Sequence, residues 1–308
     1  MSKLMKKSSL RINQLSPGAS TVLNTAMIIL ALIFILPLIL VIIISFSSEE
    51  SIREQGYKFI PLEWSTYAYE YLSKMGRGVW ISYGNTIFYA VAGTVLSLII
   101  MSMYAFLLSR KELRCRNALS FYTFFSTLFS AGLVPNFILI TQWLHINNTR
   151  WVFFLPSMVA AFNVIILRTF IQTTIDNAII ESATLDGANE FQIYSKIVMP
   201  LFKPGLASVG LFTFVGKWND WFTGLTYVQD PNLQPIMTFL QKIQKSLDML
   251  KQAKPSTMTK ETMEMLNNLP GATARMAITV ISILPLLICY PFFQKYFVKG
   301  LTIGSVKG

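Results

Sequence analysis

Six stretches of this chain are long, apolar and nearly free of charge: residues 24–45, 85–109, 120–144, 151–168, 205–227 and 274–297. An α-helix rises 1.5 Å per residue, so about 20 residues cross a hydrocarbon core roughly 30 Å thick. A chain in lipid must satisfy its backbone N–H and C=O groups internally, and a run of this length does so as a helix. The expected fold class is therefore all-α and integral to a membrane, with six transmembrane helices. Composition agrees. Charged residues make up 13% of the 308, against about 25% in a soluble domain. The first run is too long for the core of a cleavable signal and reads as a retained span.

The charges that remain orient the bundle. Lysines and arginines outnumber acids by 26 to 15, for a net +11. They cluster beside the apolar runs instead of forming one stripe, which points to membrane topology and away from nucleic acid. Lys3, Lys6, Lys7 and Arg11 precede the first run. Arg110, Lys111, Arg114 and Arg116, against Glu112 alone, follow the second. Lys295, Lys299 and Lys307 lie at the end. In a six-span topology these three places share one side, which the positive-inside rule makes cytoplasmic. The expected layout is a basic tail at 1–23, spans 1–4 within 24–171 and a cytoplasmic loop at 172–204. Span 5 follows at 205–227, an outer loop at 228–273, span 6 at 274–297 and a cytoplasmic tail at 298–308, with both termini inside a multi-pass protein. Residues 236–251 fit an amphipathic helix lying on the outer surface.

Several chemistries lack their residues. Cys115 and Cys289 are the two cysteines and His145 the one histidine, too few for a multi-histidine metal site or a catalytic triad. No GxxxxGK[ST] phosphate loop occurs, and no paired carboxylates sit together in a span. The chain reads as neither an enzyme nor a self-powered pump, so energy for transport has to come from another chain.

Two polar segments interrupt the apolar pattern. The first is ESATLDGANEFQIYSKIVMPLFKP, residues 181–204. Two short helices joined at Asp186-Gly187 fit it. Asp176 is placed to cap the first, and Gly187 allows a turn that a side chain would resist. Pro200 and Pro204 are expected to stop the second helix and start span 5. Periodicity alone leaves an ordinary interfacial hairpin open. The second segment is Lys217-Trp218-Asn219-Asp220-Trp221-Phe222, set deep in span 5. A charge there is costly unless it meets a cavity or a partner. Lys217 and Asp220 are three apart, share a helix face and are expected to be able to pair. Trp218, Asn219, Asp220 and Trp221 suit a sugar path, with rings to stack on pyranose faces and polar groups for hydroxyls. A buried ion pair holding the span to its neighbours is the competing reading. Asn163, in span 4, is either a helix-packing hydrogen bond or a contact on the same path.

The spacing of Glu181, Ala183, Asp186, Gly187, Ala188, Ile197, Pro200 and Pro204 resembles the EAA loop of permease subunits of bacterial ABC importers. The runs LSRKELRCRN (108–117) and AGLVPNFILI (131–140), Asn148-Thr149 with Trp151, Leu155 and Pro156, and FVKGLTIGSVKG (297–308) resemble carbohydrate-uptake permeases of the maltose type. The texture is closest to the branch for complex or oligomeric saccharides. One departure is Ser182-Ala183 where the family has paired alanines. The resemblance implies the type I ABC importer permease fold and a coupling loop. In that loop Glu181, Ser182, Ala183, Asp186, Gly187, Ala188, Ile197 and Pro200 would face an ATPase dimer. It also implies a related second permease subunit, an extracytoplasmic sugar-binding protein and location in the bacterial cell membrane. This chain would carry no cofactor, ATP and Mg²⁺ being bound by the ATPase. Two alternatives remain. Cargo other than sugar, such as an amino acid, peptide or anion, is one; an anion path calls for an unpaired Lys or Arg in the spans, whereas Asp220 stands near Lys217. A non-transporting scaffold or sensor is the other, and it would have no need of midspan charge.

Overall fold

A computed structural model describes residues 17–74, 77–252 and 271–304. The basic tail residues Lys3, Lys6, Lys7 and Arg11, and Lys307, lie outside the described residues. Contacts divide the chain into two compact units, one drawn from Met1–Tyr71 and Leu269–Val280, the other from Leu72–Asn268 and Ile281–Gly308.

The first unit contains α1 (Pro17–Ser45), an almost wholly apolar helix that crosses its own Pro37. The short α2 (Glu49–Gln55) follows, capped by the Ser48 side chain at the Ser51 N–H. Most of α3 (Tyr67–Lys74) belongs here too. Glu49 reaches the start of the final helix. Its Oε1 accepts from the Ala272 N–H at 3.0 Å, and its Oε2 from the N–H and hydroxyl of Thr273. A carboxylate on the first free N–H groups of a helix satisfies donors that have no partner within the helix and complements its dipole.

The second unit is built on α4 (Arg77–Ser109), whose buried face is lined with small and polar residues such as Ala90, Gly93, Ser97 and Ala105. Small side chains allow close backbone approach, the usual means of helix packing in lipid. Against it pack α7 (Ala161–Thr174) and α10 (Met199–Trp218). The final helix, here numbered α13, runs Ala272–Gly304.

Four described helices are long and apolar enough to cross a membrane. They match the expected first, second, fifth and sixth spans; the third and fourth are corrected. The third is a bent pair, α5 (Arg116–Leu128) and a segment from α6 (Leu133–Ile138) through a wide turn to Trp143, meeting at 113°. Gly132 (φ +81°) turns the chain between them, and Pro135 lies in the first turn of α6, where its missing N–H breaks no bond. The expected span at 151–168 begins as a single 3₁₀ turn, Arg150–Phe153, and irregular backbone. Helix starts only at Ala161. Its 14 residues reach about 21 Å, short of a full crossing.

The fifth span also has different ends. It is continuously helical from Glu190 to Trp218, through α9 (Glu190–Gln192) and a wide π turn (Ile193–Val198). Pro200 and Pro204 lie inside it and neither stops a helix. A wide turn just before Pro200 leaves room for the ring that a regular turn would drive into the preceding carbonyls. At the far end the helix stops at Trp218 instead of running to 227, and α11 (Phe222–Tyr227) starts afresh. The helix expected at 236–251 is present as α12 (Ile236–Gln252).

Candidate functional site

The loop between α7 and the long fifth span is a tight helical corner. Helix α8 (Asn177–Leu185) starts where Asp176 Oδ1 accepts from the Ala178 N–H at 3.1 Å. It ends at Asp186, whose N–H bonds the Ser182 carbonyl at 2.9 Å. Gly187 then takes φ +83°, and Ala188 N–H returns to the Ala183 carbonyl at 3.0 Å. A Cβ at Gly187 would meet open space, so glycine is needed there for its backbone angle. Asn189 and Gln192 close the corner with reciprocal side-chain bonds to each other's N–H.

The coupling residues sort onto two faces. Ala183 is buried with Ile180, Ile193 and Val198 in the core that α4 and α7 share, and Ala188 and Ile197 pack on its rim. Tyr194 joins Ser102 of α4 by a 2.7 Å hydroxyl bond. Glu181, Ser182, Asp186, Gly187 and Pro200 are exposed. Beside them stand three apolar side chains that sequence reasoning passed over: Ile179, Phe191 and Leu185, the last 89% exposed. Leu185 sits immediately before Asp186-Gly187, and an apolar residue at the crest of a polar corner is the signal that marks it.

An ion pair not expected from the sequence locks this corner to the segment after α4. Arg110 Nη2 lies 3.0 Å from Glu190 Oε1, with Glu112 at 3.6 Å from Arg110 Nε. Arg110, Lys111, Glu112, Gln172 and Glu181 share one shallow cleft. Because Glu190 is largely exposed, Arg110→Ala is expected to lower stability by only about 0.2–1 kcal/mol, which thermal unfolding in detergent measures. The exchange Arg110→Glu with Glu190→Arg should return the variant to the parent midpoint; failure of the exchange would assign Arg110 to other contacts.

The cluster at Lys217–Phe222 stands where α10 ends and α11 begins, and its residues are dispersed in role. Trp218 is 1% exposed, donates its Nε1–H to the Ser282 carbonyl at 3.0 Å and meets the edge of Tyr83. It is a packing residue, and its expected place on the path is corrected. The Lys217–Asp220 pair does not form. The helix ends between them, and Asp220 Oδ1 accepts from the Thr223 N–H at 3.0 Å, opening α11. Lys217 donates to Ser157 Oγ at 2.8 Å and lies on Gly93 of α4. Asn219 Nδ2 bonds the Val215 carbonyl at 3.0 Å. Trp221 is 40% exposed, and its carbonyl accepts from Thr238. Lys217, Asn219 and Asp220 are half-buried and Trp221 is exposed. Asn163 stands apart from them, bonded to Thr213 of α10 at 3.4 Å.

Other polar residues of the spans pin the segment that follows α11. Asn85 donates to the Asn232 carbonyl at 2.7 Å, and Thr86 Oγ1 accepts from Ile236 N–H at 2.7 Å. Tyr89 donates to the Leu233 carbonyl at 3.0 Å. Asn148, at φ +54°, accepts from the N–H groups of Gln229 and Asp230 through one oxygen.

Comparison with known proteins adds a family and several relatives. The family described as binding-protein-dependent transport system inner membrane component matches residues 110–303. The polygalacturonan/rhamnogalacturonan transport system permease protein of Bacillus subtilis is 36% identical over 92% of this chain and 96% of its own length. The arabinooligosaccharides transport system permease protein of Halalkalibacterium halodurans is 26% identical over 95% of this chain and 98% of its own. A chain of the crystal structure of a bacterial ABC transporter involved in the import of the acidic polysaccharide alginate superposes with a TM-score of 0.76 at 31% identity. That match covers 92% of this chain and 99% of the other.

Proposed function

Because this chain belongs to the family of binding-protein-dependent transport system inner membrane components, we propose that it forms one half of the path by which an oligosaccharide enters a bacterial cell. Its relatives are named for transport of polygalacturonan, rhamnogalacturonan and arabinooligosaccharides, and a saccharide cargo follows that pattern. A related permease subunit supplies the other half. A binding protein delivers the sugar from outside, and the corner at Glu181–Ala188 faces the cytoplasm and receives one ATPase. ATP and Mg²⁺ are held by that partner.

The observation that carries this reading is the build of the corner. Its inner face is fused into the core shared by α4 and α7, while its outer face presents Glu181, Ser182, Leu185 and Asp186. A push on the outer face is therefore passed to the spans as a rigid body, since close-packed interiors transmit displacement instead of absorbing it. ATP-dependent closure of the two ATPases draws the two corners together and favours the outward-open packing; hydrolysis releases it. The ATPase shifts the population only through its differential affinity for the two states.

Purification of the tagged chain from its native membranes in mild detergent, followed by mass spectrometry, tests the assembly. An ABC ATPase and one related permease are expected. A second handle is Ser182→Cys, which should cross-link to the ATPase. Recovery of this chain alone, or with copies of itself and no ATPase at low salt, would overturn the reading.

A further inference from the structure

Arg168 is the one charged residue of α7, and the end of the helix does not account for it. It stands six residues before Thr174, about 9 Å along the axis, outside the last turn in which a helix dipole favours a cation. Its Nη1 donates to Ser120 Oγ of α5 at 3.1 Å. Its Nε is buried and has no hydrogen-bond partner among the described residues. No carboxylate of the described residues lies within ion-pair distance of it; Glu112 and Glu190 both belong to Arg110. A hydroxyl accepts a bond but cannot neutralise a guanidinium, and a buried donor left unmet is costly, more so when charged.

Ser120 is part of a row on α5. Arg116, Ser120, Phe124 and Leu128 recur at intervals of four and so lie along one ridge of the helix. Arg116 and Ser120 are half-buried, whereas Phe124 and Leu128 are 53% and 63% exposed. Arg116 too has no carboxylate of the described residues within ion-pair distance. The row opens beside the basic segment 110–116, so its charged end stands at the membrane surface and its apolar end runs into hydrocarbon. Cation, hydroxyl and apolar side chains thus follow one another in the order of a lipid's own parts.

We propose that Arg168, Ser120 and Arg116 hold the phosphate of an anionic phospholipid whose acyl chains run along Phe124 and Leu128. A guanidinium fork makes two parallel charge-assisted bonds to phosphate, and the phosphate supplies both the acceptor that Nε lacks and the negative charge that the groove lacks. Basic pockets between spans on the cytoplasmic side are suited to anionic head groups. A free phosphate ion offers the same head-group chemistry but leaves Phe124 and Leu128 uncovered, which favours the lipid. The site concerns α5 and α7 alone and holds whatever the cargo is.

The test uses the protein purified in mild detergent with the chains that accompany it. It is titrated with phosphatidylglycerol, with phosphatidylcholine of the same chains and with inorganic phosphate, and bound molecules are counted by native mass spectrometry. The parent is expected to hold phosphatidylglycerol more tightly than phosphatidylcholine. Arg168→Gln should weaken phosphatidylglycerol about tenfold and leave phosphatidylcholine unchanged, since one charge-assisted contact is lost. Arg168→Lys, which keeps the charge and loses the fork, should fall between. If Arg168→Gln does not fold, Arg116→Gln decides, with a loss of about threefold expected. Equal affinity of the parent for the two lipids, or unchanged phosphatidylglycerol binding in the glutamine variants, overturns the site. Inorganic phosphate binding that is lost in Arg168→Gln while lipid binding stays would assign the groove to a soluble anion and overturn the lipid. Release of an accompanying chain in Arg168→Gln, with lipid binding intact, would assign the guanidinium to a subunit contact and overturn it as well.

Discussion

Leu185→Glu is expected to lower ATP-driven uptake by about a hundredfold, the scale of a central interface residue replaced by a charge. The side chain is 89% exposed in this chain, so its exchange should shift folding stability by no more than about 0.5 kcal/mol. The large effect and the small one come from the same fact. A leucine this exposed has little folding role to lose, and under the proposed docking it gains a contact when the ATPase covers it. Uptake in cells, read beside membrane abundance and unfolding temperature, separates the two. Normal uptake in Leu185→Glu would remove this crest from the docking surface. Ala183 makes the contrast. It is two residues back on the same helix but is packed in the core, so Ala183→Glu should fail by misfolding.

Trp218→Ala carries the largest expected loss of stability, about 3–5 kcal/mol for a fully buried tryptophan. The change opens a cavity between α4, α10 and α13, where Tyr83, Phe214 and Leu286 now pack on the ring. It also removes the indole N–H that donates to the Ser282 carbonyl at 3.0 Å. Trp221→Ala, three residues on and partly exposed, is expected to change stability by under about 1 kcal/mol while reducing uptake. Unfolding in detergent for both variants, with uptake alongside, distinguishes a packing tryptophan from one that meets cargo. A Trp218→Ala protein as stable as its parent but defective in uptake would return Trp218 to the path.

Some of this was open to reading in the sequence because it depends on neighbours along the chain. The long apolar runs become α1, α4, the fifth span and α13, since a helix in lipid satisfies its own backbone wherever the side chains are apolar enough. The cap at Asp176 and the positive-φ turn at Gly187 were legible for the same reason: each is a bond or an angle within a few residues. The spacing around Asp186-Gly187 identified the corner before its geometry was known.

What needed the tertiary structure were the decisions made between distant residues. Hydropathy cannot see that Gly132 bends the third run by 113°, nor that the run at 151–168 stays irregular until Ala161. A wide turn upstream lets Pro200 sit inside a helix that it was expected to break, and Pro204 lies within the same helix. Lys217 and Asp220 share a face only if the helix continues, and it ends between them; Lys217 instead finds Ser157, 60 residues earlier. Trp218 and Trp221 look alike in sequence, and only the covering by Ser282, Tyr83 and Leu286 makes one a core residue and leaves the other partly open. Local pattern determined where helices form and where the corner turns. Packing between segments far apart in the chain decided which helices bend, which polar groups meet and which side chains stay exposed, because burial is a property of neighbours in space.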